Sequence, residues 1–578
     1  MRGAVAVLRG AAAAGTAGFL IFAGLVIGGV TELRSPNLIL VGAVLAAVVG
    51  LYRPDGRWLG IVGALVVGGL TVASGLVSGF GLLEYSTVAG SALAAVWFGA
   101  GERTPRNIRS WFRWGGVMAV VLVAVLLPLT LAGGTLGHDE SAYALKARQL
   151  LEGTPETGWG FHRGIGMSLY GYAVLGMGGA EPGLRLLGLI GAVALSAGAW
   201  ALGRRMVDAE TGAIASVAVV TGPALLARST EYLSDVPSAA LLTFTMVVLW
   251  RELHDRDQPT YRLLWALPVA WAAFYLRYQA ALSLALIALV AMVLWWPKIR
   301  RRPGPVVWLV VVGSLGLIPY FLLSIDLTGT PLGIFTGTRR ILGAAVGEGF
   351  GDYASQFGQA LGGWVAPIAL ASALVGVVKW WRDRDTRNRY LFLLVPALLQ
   401  VIVLGLFAHG EPRFLFFPLT ATVVAGATTV RRWVSPGRRP WANALALGLA
   451  IVVIGTLGVS SSAARRWVEI RRANNEPVEL AAHEVATRSA GAGCGVMTSY
   501  DSQVTYYSGC HTDTFRTNLE PADALARLPG EGKFLVLIEN GKRQPTGEGL
   551  EILLALTDGS PVVVGSEGRS GTIYRFKE

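Results

Sequence analysis

Apolar stretches of about seventeen residues or more recur along this chain as far as about residue 460 and then stop, each long enough to cross a hydrocarbon core of roughly 30 Å. Their solvent follows from composition. Of 578 residues 53% are hydrophobic and only 15% charged, and the mean hydropathy is +0.53, a balance poorly suited to a water-soluble surface. The first stretch, near 11–31, is followed by no small-residue cleavage pattern and by a second apolar stretch, so it reads as a retained helix rather than a signal peptide.

The formal net charge of +12 raises the question of nucleic acid, which the placement of the charge answers. Arg2 and Arg9, Arg53 and Arg57, Arg103–Arg113, Arg204 and Arg205, Arg251–Arg262, Lys298–Arg302, Lys379–Arg389 and Arg431–Arg439 form basic clusters separated by pairs of apolar segments, the positive-inside pattern. The intervening loops carry carboxylates and glycines, including Glu32, Glu84, Asp139, Glu140, Asp235, Asp326 and Glu411, and belong outside. No nucleic-acid partner is expected. The partner is the lipid bilayer, and the expected location is the plasma membrane.

Threading these clusters gives roughly fifteen spans, at about 13–31, 36–52, 58–78, 84–101, 114–133, 183–203, 209–227, 236–250, 262–276, 279–296, 305–323, 358–378, 390–408, 414–430 and 441–460. The N-terminus is then cytoplasmic and the C-terminus outside. The expected organisation is a polytopic α-helical membrane protein: a four-helix block over 1–112, a membrane core over 113–462 and a soluble extracytoplasmic domain over 463–578. The core has two long outer loops, at about 134–182 and 324–357, and loops of this length in a tight helical bundle are more often functional than filler.

The tail alternates patterns. Val478–Ala490 has helical spacing, whereas Gly495–Tyr500, Phe534–Glu539, Pro561–Gly565 and Thr572–Phe576 resemble strands, which together predict a small α/β domain. The chain's two cysteines, Cys494 and Cys510, both fall in this outer domain, where an oxidising compartment permits a disulfide; the alternative is a pair of buried free thiols.

Chemistry concentrates after the fifth span. Gly137-His138-Asp139-Glu140-Ser141 opens a segment with apolar residues at 142, 145, 147, 150 and 151, read as an amphipathic interfacial helix with Asp139 and Glu140 at its N-terminus. Capping and helix-dipole stabilisation would explain the same pair without any catalysis. Beyond it come Trp159-Gly160-Phe161-His162-Arg163-Gly164, the span entry Leu184-Arg185-Leu186, and Ser234-Asp235-Val236-Pro237 at the outer start of a later span.

This order of motifs resembles the GT-C superfamily of membrane glycosyltransferases, in the branch of the protein O-mannosyltransferases and lipid A aminoarabinose transferases. The resemblance covers roughly residues 113–430 and leaves the first four spans outside it. It implies a GT-C-like fold that moves a sugar from a polyprenyl-phosphate donor to a hydroxyl acceptor. In that family the first outer loop carries an acidic pair used in catalysis, and Asp139 and Glu140 match it. Family members commonly place a Lys or His before a Pro after this helix, whereas His162-Arg163-Gly164 stands here.

Such transfer requires a general base beside the anomeric carbon and cations for the departing phosphate. Asp139 is the candidate base. Glu140 would orient the acceptor or, with Asp139, hold a divalent cation such as Mg, Mn or Zn. Arg277 and Arg413, at outer turns, are candidates for phosphate; pairing of Arg277 with Asp235 or Glu231, and of Arg413 with Glu411, is the purely structural alternative. Asp235, Lys146, His162, Arg163, Tyr143, Arg339 and Arg340 complete the candidate substrate-binding set. A multi-span transporter is the competing reading. It predicts inverted repeats, and no corresponding pair of broken helices is visible in two halves.

Overall fold

The computed structural model describes residues 122–578 apart from 124–125, 156–159, 343–345, 362–364, 409, 434–439, 490–492, 516–524, 531, 542–543 and 578. The first four anticipated spans, and half of the fifth, lie outside the described residues. The chain divides into two units, residues 1–109 with 172–186, and 110–171 with 187–578.

After a helical stretch at 126–131, helix α1 (His138–Glu152) follows in the second unit. Its N-terminus is closed by Glu140, whose Oε2 accepts the Gly137 N–H at 2.8 Å, and its C-terminus by Gly153 in the left-handed region, φ 71°. Helix α2 (Ile165–Gly176) is short and apolar, and α3 (Glu181–Met206) is long enough to span. The described portion of the first unit comprises the end of α2, the beginning of α3 and the turn between them at Gly178.

The stretch anticipated as one span at 209–227 is broken. It forms α4 (Ala209–Ala218), a 3-10 turn at Val219–Thr221 and α5 (Pro223–Arg228), because Gly222 is extended and Pro223, lacking an N–H, starts a new helix at N1. Next come α6 (Asp235–Leu253), α7 (Ala266–Leu276), α8 (Ala280–Arg301), α9 (Gly304–Leu315) and α10 (Ile318–Thr328). Pro297 accompanies a kink at Trp295 in α8. The long outer loop expected at 324–357 is largely helical: α10 ends at Gly329, φ 76°, and α11 (Gly333–Leu342) and α12 (Glu348–Leu361) follow. Then come α13 (Val365–Lys379), α14 (Arg384–Phe407) and α15 (Phe416–Trp433).

Among the described residues six helical stretches are long and apolar enough to cross a membrane: 181–206, 235–253, 280–301, 304–328, 384–407 and 412–433. One end of this bundle gathers the basic clusters. There Arg431 pairs with Asp208 at 2.8 Å, Arg205 with Asp255 at 2.8 Å and Arg389 with Asp385 at 2.6 Å, while Lys298 donates to the carbonyls of His254 and Arg256. Asp235, Arg277 and Arg413 stand at the other end of their helices.

Helix α16 (Pro440–Ser489) is a single helix of 50 residues, about 75 Å long at 1.5 Å per residue, and it passes through residue 463 without a break. Its last third carries Val478, Ala481, Ala482 and Val485 into the core of the tail. There β1 (Cys494–Met497), α17 (Asp501–Ser508), β2 (His511–Asp513), β3 (Gly532–Ile538), α18 (Glu548–Ala555), β4 (Val562–Ser566) and β5 (Arg569–Arg575) form a sheet of order β2-β1-β3-β5-β4. Strand β1 pairs parallel with β2 and β3, and β5 pairs antiparallel with β3 and β4. The α/β tail is therefore as the sequence patterns implied. Cys494 and Cys510 are bonded, tying the start of β1 to the residue before β2 across a separation of 16.

Closing a loop of that length constrains the unfolded chain by about 3 kcal/mol. Replacing both cysteines by alanine should lower the thermal midpoint of the detergent-solubilised protein; an unchanged midpoint would show that the bridge adds nothing.

Candidate active site

The site is assembled from turns widely separated in sequence. Asp139 lies in the first turn of α1, where its Oδ1 accepts Arg163 Nη1 at 2.8 Å and its Oδ2 accepts Arg413 Nη1 at 3.0 Å. Arg163 comes from the loop between α1 and α2, and its guanidinium stands 5.5 Å over the Tyr143 ring. That loop is pressed on the end of α7. A Cβ on Gly164 would fall 2.3 Å from the Leu276 carbonyl oxygen, and one on Gly166 would fall 2.8 Å from that of Tyr275. Only glycine permits the approach.

Arg413 belongs to a 3-10 turn, Pro412–Leu415, between α14 and α15. It also bonds Glu411 at 3.0 Å and lies 3.9 Å from Asp235. Asp235, at the start of α6, receives Arg277, which leaves the end of α7 in an extended conformation and bonds Gln279 at 2.9 Å. Asp139, Asp235 and Glu411 thus interleave with Arg163, Arg277 and Arg413. Both pairings foreseen for the arginines, with Asp235 and with Glu411, are present, and Arg413 adds Asp139.

Burial alone would raise the pKa of Asp139, but the guanidiniums of Arg163 and Arg413 outweigh it and hold the carboxyl far below the usual carboxylate range. Burial likewise opposes the charge on Arg163, and Asp139 overcomes it, so that Arg163 is held above its ordinary value. Burial, reinforced by Arg163, depresses His162 to about 4, so its imidazole is neutral at physiological pH. Burial pushes the Tyr143 phenol up.

Glu140 faces elsewhere. It is 2% exposed, and besides the Gly137 N–H its carboxylate accepts the Tyr232 N–H at 2.8 Å. The acidic pair therefore does not converge on one point. Nor do these residues fit a divalent cation: the oxygens of Asp139 are matched by guanidiniums and those of Glu140 by backbone amides. Among the described residues no group of three or more His, Cys, Asp or Glu side chains is placed to hold a metal ion.

The other candidates separate. Lys146 donates to Gln149 along its own helix at 2.6 Å. Arg339 and Arg340 lie on α11, their side chains outside the described residues. Helix α1 differs from an interfacial amphipath in that polar Glu140 and Ser141 are buried together with Ala142, Leu145 and Ala147, while Leu150 and Leu151 are exposed.

Further residues join the site from places the sequence patterns did not mark. Tyr353 of α12 is 5% exposed, its hydroxyl has no hydrogen-bond partner among the described residues, and it feels the charges of Arg277 and Glu411. Behind Asp139 a second layer contains Glu231, Arg228, Trp467 and Arg471. Glu231 stands four residues before Asp235, which was a usable signal; Arg471 lies in the run Arg465, Arg466, Arg471 and Arg472, which reads as a solvated face.

The architecture matches solved membrane proteins. ArnT from Cupriavidus metallidurans bound to undecaprenyl phosphate superposes with a TM-score of 0.58 at 14% identity, over 80% of this chain and 98% of that one. The oligosaccharyltransferase AglB from Archaeoglobus fulgidus, in complex with an inhibitory peptide and a dolichol-phosphate, gives 0.50 at 14% identity, over 73% and 67%. Both are GT-C-fold glycosyltransferases. The chain has the GT-C fold. No family pattern and no curated protein sequence matches it.

Overpacking at Gly164 would push the Arg163 loop off α7. Gly164→Ala should destabilise the protein by about 1–3 kcal/mol, read as a lower thermal midpoint in detergent, whereas a wild-type midpoint would show that the loop adjusts freely.

Proposed function

We propose that this protein is a glycosyltransferase that moves a sugar from a polyprenyl-phosphate donor to a hydroxyl of an envelope glycan, lipid or exported protein, on the outer face of the membrane. The observation that carries this reading is the Asp139 carboxylate clasped by Arg163 and Arg413, with the Asp235–Arg277 pair beside it, at the bundle end opposite the basic clusters. By the positive-inside rule the basic end is cytoplasmic, which puts the site outside. The bound undecaprenyl phosphate and dolichol-phosphate of the two solved proteins support the donor class.

In the reaction Asp139 takes the proton of the acceptor hydroxyl, whose oxygen attacks the anomeric carbon. The bond from that carbon to the phosphate oxygen breaks, and the polyprenyl phosphate leaves with the negative charge. A carboxylate held as low as Asp139 is a weak base for this step, so the donor must change its environment. The phosphate does so by competing for Arg413 and Arg277: as Arg413 turns toward it, Asp139 loses one of the two cations that depress it and gains proton affinity. Arg163 stays behind and orients the base. The buried Tyr353 hydroxyl, Arg163 Nε and His162 Nδ1, each without a hydrogen-bond partner among the described residues, are polar groups ready for sugar or phosphate oxygens. Glu140 acts through its backbone contacts as a positioning residue.

Membranes containing the protein should transfer label from one of a panel of radiolabelled polyprenyl-phosphate sugars, and Asp139→Asn should reduce transfer by roughly 10²–10⁴-fold. Solute uptake without transfer would replace this reading by the transporter. Arg413→Ala should raise the KM for donor more than it lowers kcat, and an unchanged donor KM would remove Arg413 from the phosphate site. Arg163→Gln removes a cation that lowers both Asp139 and His162, so each protonates at a higher pH and the acid limb of kcat/KM should move upward; an unmoved limb would exclude Arg163 from controlling the base.

A further inference from the structure

We infer that Arg471, on the part of α16 that leads into the tail, is a positioning residue for Asp139: it holds two buried carboxylates, Glu140 and Glu231, at a fixed separation and thereby sets Asp139 against Asp235 and Arg413. The inference rests on the transferase reading.

Glu231 is 2% exposed and densely paired. Its Oε2 accepts Arg228 Nη1 at 2.6 Å, its Oε1 accepts Trp467 Nε1 at 2.9 Å, and Arg471 Nη1 lies 3.0 Å from the same Oε1. The Arg471 side chain, 10% exposed, is also 3.8 Å from Glu140 Oε2. The circuit closes through the backbone, since Glu140 Oε1 accepts the N–H of Tyr232, the residue after Glu231. The chemistry lies close along the chain from each carboxylate: Asp139 immediately precedes Glu140, and Asp235 follows Glu231 by four residues. Arg471 ties these two turns together.

Its contribution is one of charge. The three guanidinium nitrogens are buried and among the described residues form no hydrogen bond of good geometry, although Nη1 is ion-paired with both carboxylates. Without Arg471, Glu140 and Glu231 would lose a cation that both of them face in a desolvated space, and their repulsion would open the gap between α1 and the 231–235 turn. The tail supports the same segment from the other side: the Tyr507 hydroxyl accepts the Leu136 N–H at 2.8 Å, Gln503 Nε2 donates to the Leu136 carbonyl at 2.7 Å, and Ser141 bonds Ser502 at 3.1 Å. The outer domain is thus built into the entrance of the catalytic helix.

The test uses the full chain and the donor found by the label-transfer assay. Arg471→Met should lower kcat by roughly ten- to a hundredfold with donor KM little changed, because the base is misplaced while the phosphate arginines stay. A charge role requires that Arg471→Lys recover most of kcat, and that Arg471→Met with Glu231→Gln, which removes the surplus negative charge, recover more than Arg471→Met alone. Wild-type kcat in Arg471→Met would overturn the inference, as would a loss that neither second variant relieves. A measurement free of turnover separates this from the fate of the transferase reading. With spin labels at exposed positions 150 and 332, introduced as Leu150→Cys and Leu332→Cys, the distance distribution should shift in Arg471→Met and return when Glu231→Gln is added. An unshifted distribution would overturn the inference whether or not transfer is found.

Discussion

A carboxylate clasped by two guanidiniums at the end of a membrane bundle is the constraint to which the rest of this structure answers. Asp139 meets Arg163 from one loop and Arg413 from a turn 274 residues later; both guanidiniums are largely withdrawn from water, and the carboxylate is partly so. Each arginine gives the carboxylate a cation that it would otherwise lack on that side, so the elements carrying these residues are held by more than apolar contact. The glycines at 164 and 166 allow the Arg163 loop to rest on the carbonyls at the end of α7, and Gly410 donates to Asp352 of α12 at 2.8 Å beside the turn that presents Arg413. Close backbone approach and charge matching act together.

The charges fall into two layers with different tasks. The front layer, Asp139, Asp235 and Glu411 with Arg163, Arg277 and Arg413, contains acids and bases in equal number and retains buried donors without partners. A phosphate entering it would compete for the arginines. The rear layer, Glu140 and Glu231 with Arg228 and Arg471, is also balanced, but its carboxylates are committed to backbone amides, an indole and guanidiniums. Asp139 and Glu140 are neighbours in sequence and about 100° apart around a helix, which suffices to place one in each layer.

Sequence reading reached the front layer because charges at span ends stand out against an apolar background: Asp139, Asp235, Arg277 and Arg413 were all identifiable as residues needing a reason to be there. The GT-C architecture was legible from the order of the same motifs. What was hidden depended on direction rather than identity. Glu140 looked equivalent to Asp139, because adjacency in a motif does not reveal which side chain turns inward. Arg471 was not marked at all, because its helix is rich in arginine and the carboxylates that it pairs with lie more than two hundred residues away. The helices α11 and α12 were read as loop because neither is long or apolar enough to stand out as a span.

The departure at His162-Arg163-Gly164 from the family's usual Lys or His followed by Pro acquires a physical reason. At position 164 a Cβ would overlap the Leu276 carbonyl, so the backbone here lies closer to α7 than a proline would permit. The residue before it is correspondingly drawn under Asp139, where a guanidinium reaches one carboxylate oxygen and stacks over Tyr143. An arginine delivered in this way cannot be deprotonated and presents a planar set of donors, so it holds the Asp139 carboxylate in one orientation. Glycine at 164 is the condition for bringing this cation against Asp139.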